Sequence, residues 1–202
     1  MDFIGAAILV IISAFLGPSA VEYLKFKILK RDSDDPLKRD LISSSIISEE
    51  LEDIRDKIAA DRVWISMFHN GGHFIHGSKT MQKISIMHET TKLGVVSGVL
   101  LFSDLPVTLF SKSIRYLMDE PLIKIVNVDF NDKNFSGLSA IHQALGVKSS
   151  YVVALFDICD ESLVGVLGVD YNVITKLDQD NTDFLLLRSQ RISGYISNFI
   201  KT

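Results

Sequence analysis

The spacing of apolar positions changes period several times along this chain, and each change marks an element. Phe3 to Val21 carries no charged residue, and Phe3 to Leu16 (FIGAAILVIISAFL) is almost continuously apolar. About 19 residues at ~1.5 Å rise give a helix of ~28 Å, which matches the ~30 Å hydrocarbon layer of a bilayer. This predicts a transmembrane helix within residues 1–24, with Pro18 near its end and Tyr23 at the interface. A cleavable signal peptide would need a basic stretch first, and only Asp2 precedes the run. A buried core helix is the other alternative. Lys25, Lys27, Lys30 and Arg31 follow the run, so the positive-inside rule puts the rest of a single-pass protein on the cytoplasmic side of the inner membrane. Residues 25–36, ending in RDSDDP, read as a basic juxtamembrane segment and linker.

A helical period then runs from Leu37 to about Arg62, through Leu37, Leu41, Ile47, Leu51, Ile54 and Ile58. The stripe serves either its own domain or a heptad-like seam between two copies, with Ser44 the weak point; a homodimer is expected. Val63 to Phe68 reads as a strand ended by His69-Asn70-Gly71-Gly72. Met81 to Glu89 alternates, which predicts a strand with Ile84, Ile86 and His88 on one face and Lys83, Ser85 and Glu89 on the other. Gly94 to Phe102 is apolar without a period and receives no assignment. A helix is expected from Ser103, with Pro106 in its first turn and Val107, Phe110, Ile114 and Leu117 inward, stopped at Asp119-Glu120-Pro121. Leu122 to Val128 reads as a strand, Asp129 to Gly137 as a polar loop and Ser139 to Leu145 as a short helix stopped by Gly146. Phe184 to Ile200 closes the chain as a helix with Leu185, Ile192, Ile196 and Phe199 inward.

Between these lies Gly146 to Tyr171, GVKSSYVVALFDICDESLVGVLGVDY. Tyr151 to Phe156 and Leu163 to Val169 are β-branched and aromatic runs, and the acidic stretch Asp157 to Ser162 suits a solvated hairpin turn. Gly165 and Gly168 inside the second run point to a close approach by another backbone, a helix or a ligand. This glycine-serine, strand, acidic turn and glycine-bearing strand pattern resembles the closing hairpin of GAF domains. The resemblance covers residues 37–202. It implies an α/β (α+β) fold, with a central antiparallel GAF/PAS-like sheet flanked by helices and a ligand held between sheet and lid.

Composition narrows the function. Hydrophobic residues make up 47% of the 202 residues and charged residues 23%, enough for a packed core. A net charge of −4 offers no basic stripe for nucleic acid. The lone Cys159 excludes an internal disulfide and a multi-thiolate zinc site, and fits a reducing compartment. His69, His73, His76 and His88 cluster in sequence, yet their spacing matches no metal motif, so no metal is assigned and a ligand pocket or a structural role is left. Asn131, Lys133 and Phe135 are similar to part of the motif of cyclic-nucleotide-binding GAF members. Ser139-Ala140 stands where that motif has an acidic pair, so the loop is read as a solvated lid. The candidate ligand-binding residues are Phe68, His69, Asn70, His73, His76, His88, Asp129, Asn131 and Phe135.

Catalysis is not expected. One cysteine cannot run the thiol cycle of GAF-fold methionine sulfoxide reductases, and Cys159 falls at a hairpin tip, away from where a bilin would attach. No Gly-x-Ser-x-Gly elbow or P-loop occurs. No cofactor is named. The expected function is that of a membrane-anchored, cytoplasmic, small-ligand-binding sensory domain. The sequence ends with the domain, so its signal is expected to leave through dimerisation or a partner. The alternative is a membrane-tethered structural or interaction protein, of phage or bacterial accessory type, whose pocket is filled by Phe68, Phe74, Met87, Phe130 and Phe135. A third reading, a metal-assisted hydrolase, requires His69 and His88 to converge beside a carboxylate.

Overall fold

The computed structural model describes residues 36–73, 80–129 and 135–200. The uncharged Phe3–Val21 run lies outside them, and among the described residues no helix is long and apolar enough to cross a membrane. In chain order the elements are α1 (Pro36–Lys57), β1 (Arg62–His73), β2 (Thr80–Thr91), β3 (Leu105–Pro106), a 3-10 turn (Val107–Phe110), α2 (Ser111–Asp119), β4 (Leu122–Ile125), α3 (Ser136–Ala144), β5 (Ser149–Phe156), β6 (Leu163–Tyr171) and α4 (Gln179–Ile200). The strands form one six-stranded sheet in the order β3-β2-β1-β6-β5-β4, antiparallel throughout.

Each face of the sheet carries its own core, because successive strand residues point to opposite sides. On one face Val63, Ile65, Val153, Leu155, Leu167 and Val169 meet Ile47, Leu51, Ile54 and Ile58 of α1 and Leu185, Ile192 and Ile196 of α4. From Ile47 onward the stripe of α1 therefore serves its own domain. Leu41 is 63% exposed. The six residues from Leu41 to Ile47 turn a helix by ~600°, which places them on different sides. On the other face Trp64, Val152, Ala154 and Val166 meet Phe102, Phe110, Leu117 and Leu138 from the 3-10 turn, α2, α3 and the segment before β3. This second face is the lid face.

The close approach expected at the β6 glycines comes from β1. A Cβ on Gly168 would lie 2.1 Å from Cε2 of Trp64, and one on Gly165 would lie 2.4 Å from the Ser66 carbonyl oxygen.

Three local expectations are corrected. Register jumps between Ile65 and Ser66, which pair with His88 and Ile86, so Met87 bulges out of β2. His88 consequently shares a face with Ile65, opposite Ile84 and Ile86. Ser103 does not begin a helix: Leu105 and Pro106 pair with β2 first, and α2 starts only at Ser111. The expected Leu122–Val128 strand ends at Ile125.

Candidate functional site

Of the candidate histidines, His69 and His88 lie on the α1/α4 face of the sheet. His69 sits opposite Lys83, and His88 opposite Ile65. Positions 65 and 69 are four residues apart on β1, ~13 Å along a strand, so the two rings do not converge. His69 Nε2 is 2.9 Å from Ser85 Oγ and 3.7 Å from Asp104 Oδ1. His88 is half-buried, and that burial pushes its imidazole below the ordinary value. Among the described residues no group of three or more His, Cys, Asp or Glu could hold a metal ion, and the convergence that the hydrolase reading requires is absent.

The other candidates are dispersed. Phe68 and Phe135 both pack against the lid-face core. Asn70 Oδ1 accepts from Gln82 Nε2 at 3.1 Å on the exposed surface. Asp129 Oδ2 accepts from Lys148 Nζ at 3.0 Å. His73 pairs with Thr80 at the end of β1. His76 and Asn131 lie outside the described residues, as do Phe74 and Phe130. Met87 is 52% exposed and fills no pocket.

Between sheet and lid an aromatic stack occupies the space. Phe102 lies 5.3 Å from Trp64 and 5.3 Å from Phe110, centroid to centroid. The void left among these rings, Ile84, Leu117 and Val152 is about 20 Å³, room for one water and for no organic ligand.

A buried polar knot adjoins that stack where β1, β5 and β6 meet. Pairing sets Arg62 and Ser150 each opposite Asp170. Asp170 Oδ2 accepts from Arg62 Nη1 at 3.2 Å and from Trp64 Nε1 at 2.8 Å, and its Oδ1 accepts from Ser150 Oγ at 2.7 Å. Arg62 Nε lies 3.3 Å from Glu89 Oε1, and its Nη2 donates to the Val96 carbonyl. His142 Nε2 lies 3.4 Å from Ser150 Oγ and 3.6 Å from Asp170 Oδ1, while its Nδ1 is buried without a hydrogen bond. Burial pushes His142 down, Asp170 opposes this, and Arg62 adds to it. A buried charge needs this many partners. The Ser150 hydroxyl is committed to Asp170, and the side chains of Ser150, Asp170 and His142 are sealed from solvent. Ser150 thus ties β5 to β6 through Asp170, and His142 of α3 packs against both.

Open space lies instead beside β4. A groove of about 930 Å³ runs between α2, β4 and the start of α4. Leu122 and Leu186 give it an apolar wall; Tyr116 and Phe135 form an edge-to-face pair with centroids 5.5 Å apart at its side. Lys112, Arg115 and Lys124 face it, against Asp119 and Glu120.

No family model matches this chain, and no curated protein does. Solved structures do. The phycocyanobilin-bound GAF domain of a cyanobacterial phytochrome aligns over 89% of this chain and 94% of its own, at 17% identity and a TM-score of 0.62. The photoproduct state of a GAF domain from Synechocystis aligns over 77% and 94%, at 14% identity and a TM-score of 0.60. The chromophore-binding domain of a bacteriophytochrome from R. palustris aligns over 94% of this chain and 63% of its own, at 12% identity and a TM-score of 0.62. The chain has a GAF fold.

Within this GAF fold Cys159 is exposed in the β5–β6 turn, where its N–H is held by Asp157 Oδ1 at 2.7 Å. Sequence reasoning missed Trp64, Phe102, Arg62 and Asp170. Phe102 fell in the unassigned Gly94–Phe102 stretch. A charge at each end of an apolar strand, as with Arg62 and Asp170, was the available signal for the knot.

Proposed function

We propose that this chain is a sensory GAF module that takes a small amphipathic ligand with an anionic group. The ligand occupies the groove beside β4, its apolar body on Leu122 and Leu186 and its anion toward Arg115 and Lys124. One observation carries this reading: Arg115 and Lys124 are exposed, make no ion pair among the described residues, and face an apolar wall with room for an organic molecule. Phe135 is the sequence candidate that borders this groove. Bilin-bound neighbours of the same fold support a ligand-binding role without naming this ligand. The module acts by binding and not by catalysis. Phe3–Val21 anchors it in the inner membrane with the GAF domain in the cytoplasm, and its output passes through self-association or a partner.

Native mass spectrometry of the full chain released from detergent micelles tests this. A copurifying small molecule, lost together in Arg115→Ala and Lys124→Ala, is the expected result. A ligand retained by both variants refutes the groove. The filled lid face favours a second reading, a membrane-tethered interaction module. A ligand-free dimer that no anionic amphiphile stabilises would select it.

A further inference from the structure

A second hollow, of about 500 Å³, lies where β5 turns toward β6 and adjoins the groove beside β4, sharing Pro121 and Leu186 with it. Together they make one trough along α4, which lends Gln179 and Thr182 to the first part and Ser189, Gln190 and Ser193 to the second. Two independent rulers give its length. Lys124 pairs with Tyr151, and Phe156 lies five residues further along β5, ~17 Å at ~3.3 Å each. Thr182 and Ser193 are eleven residues apart on α4, ~16 Å at ~1.5 Å each.

Charge changes sign along the trough. Lys112, Arg115 and Lys124 stand away from Pro121, whereas Asp119 and Glu120 directly precede it. Past Pro121 the charged residues are Asp157 and Glu161, with no Lys or Arg among the described residues that line this part. Asp157 is buried and holds the Cys159 N–H. Glu161 is exposed and makes no ion pair among the described residues, so its carboxylate is open to a ligand. The wall beside it has unmet polar groups. Ser193 is 7% exposed and lines the hollow, yet its hydroxyl has no hydrogen bond to a described residue; leaving it so is costly unless a bound molecule supplies a partner. Ala154 N–H donates to the Pro121 carbonyl at 2.9 Å as the last rung toward β4, and β5 runs on to Phe156 with no strand beside it on that edge.

We propose that the trough takes a linear peptide of about five residues with free ends, its C-terminal carboxylate at Arg115 and Lys124 and its N-terminal ammonium at Glu161. The inference rests on the reading of the groove beside β4 as an anion-binding ligand site, and it names the ligand's class. At ~3.4 Å per residue an extended pentapeptide spans ~17 Å, the length of the trough. Opposite charges at the two ends call for a zwitterion. A polymethylene zwitterion of that length would offer nothing to Ser193, Gln190 and the open edge of β5, whereas a peptide backbone carries a donor and an acceptor at nearly every residue. The apolar wall of Leu122 and Leu186 lies midway and suits a central aliphatic side chain.

The test titrates the full chain in detergent micelles with the peptide Gly-Ala-Leu-Ala-Gly, its N-acetyl form and its C-terminal amide, followed by calorimetry. The free peptide should bind, and either block should weaken it by about fivefold, the worth of one exposed ion pair. In Glu161→Gln the acetyl block should cost nothing further, and in the Arg115→Ala, Lys124→Ala double variant the amide should cost nothing further. All three positions are exposed, so melting temperatures should stay at the parent value. Loss on amidation with none on acetylation overturns the peptide and leaves the anion groove standing. Binding that neither block nor any variant alters refutes the proposal and the groove reading together. If none of the three peptides binds, the proposal fails, and loss of a copurifying molecule from Arg115→Ala and Lys124→Ala judges the groove separately.

Discussion

Replacing Gly168 with alanine tests the junction of the aromatic layer and the polar knot. The new Cβ would lie 2.1 Å from Cε2 and 2.2 Å from Cζ2 of Trp64. Carbon contacts settle near ~3.5–4.0 Å, so the indole must retreat by ~1.5 Å. It is 2% exposed, with Phe102 at 5.3 Å, and has nowhere to go without strain. Retreat also breaks the 2.8 Å bond from Nε1 to the Asp170 carboxylate. Overpacking costs about 1–3 kcal/mol. Losing a hydrogen bond to a charged group costs about 1.5–3 kcal/mol, so together about 4 kcal/mol is expected. With a urea slope of ~2 kcal/mol per molar, the unfolding midpoint falls by ~2 M. Trp64 is the only tryptophan, so its emission, followed in urea titrations of the full chain in micelles, reads both stability and the indole's surroundings. A midpoint moved by less than ~0.5 M, with native near-ultraviolet dichroism unchanged, would refute the packing argument. Gly94→Ala serves as the comparison: its φ is +84° with nothing within 4 Å, so only backbone strain of about 1 kcal/mol applies.

Acidification should destabilise the fold through His142, whose imidazole is held below the ordinary value of 6.5. The unfolded chain then takes up the proton first, so stability is full above pH 6.5 and declines as pH falls toward the lower folded value. His142→Gln should flatten the melting temperature against pH, and an unchanged slope would exonerate the residue. Asp170→Asn leaves the Arg62 guanidinium with less counter-charge and should cost about 3–5 kcal/mol, read as a lowered midpoint; Arg62→Met in the same chain should restore part of it. Phe102→Ala should cost about 3–5 kcal/mol and open a cavity on the lid face. Added indole should then raise its melting temperature but not that of the parent chain.

Legibility followed the range of the interactions involved. β5, β6 and α4 were readable because their apolar spacing is local, as the burial of Leu185, Ile192 and Ile196 confirms. Ile47 to Ile58 gave α1 on the same grounds. The face of His88 was not readable, because it depends on a bulge at Met87 that only pairing with β1 creates. The Gly94–Phe102 stretch has no period because it is held by Arg62 and Glu89 from other elements. The candidate site suffered most. His69 and His88 are set apart along the strands by their pairing, while the groove draws its walls from residues 112–124, 135 and 179–186.

The edges of the sheet bear on how copies of the chain can assemble. β3 contributes only Leu105 and Pro106 beside β2, and further along the Phe102 carbonyl accepts the Ile86 N–H at 2.9 Å. On the opposite side β4 has four residues, with Pro121 before it and Lys124 within it. Short strands, proline, lysine and a bulge leave little ladder for a second sheet to extend. Strand-to-strand growth between neighbouring copies is thereby discouraged. Pairing of copies through helices is not discouraged in this way: Leu41 of α1 and Leu187 of α4 are each exposed.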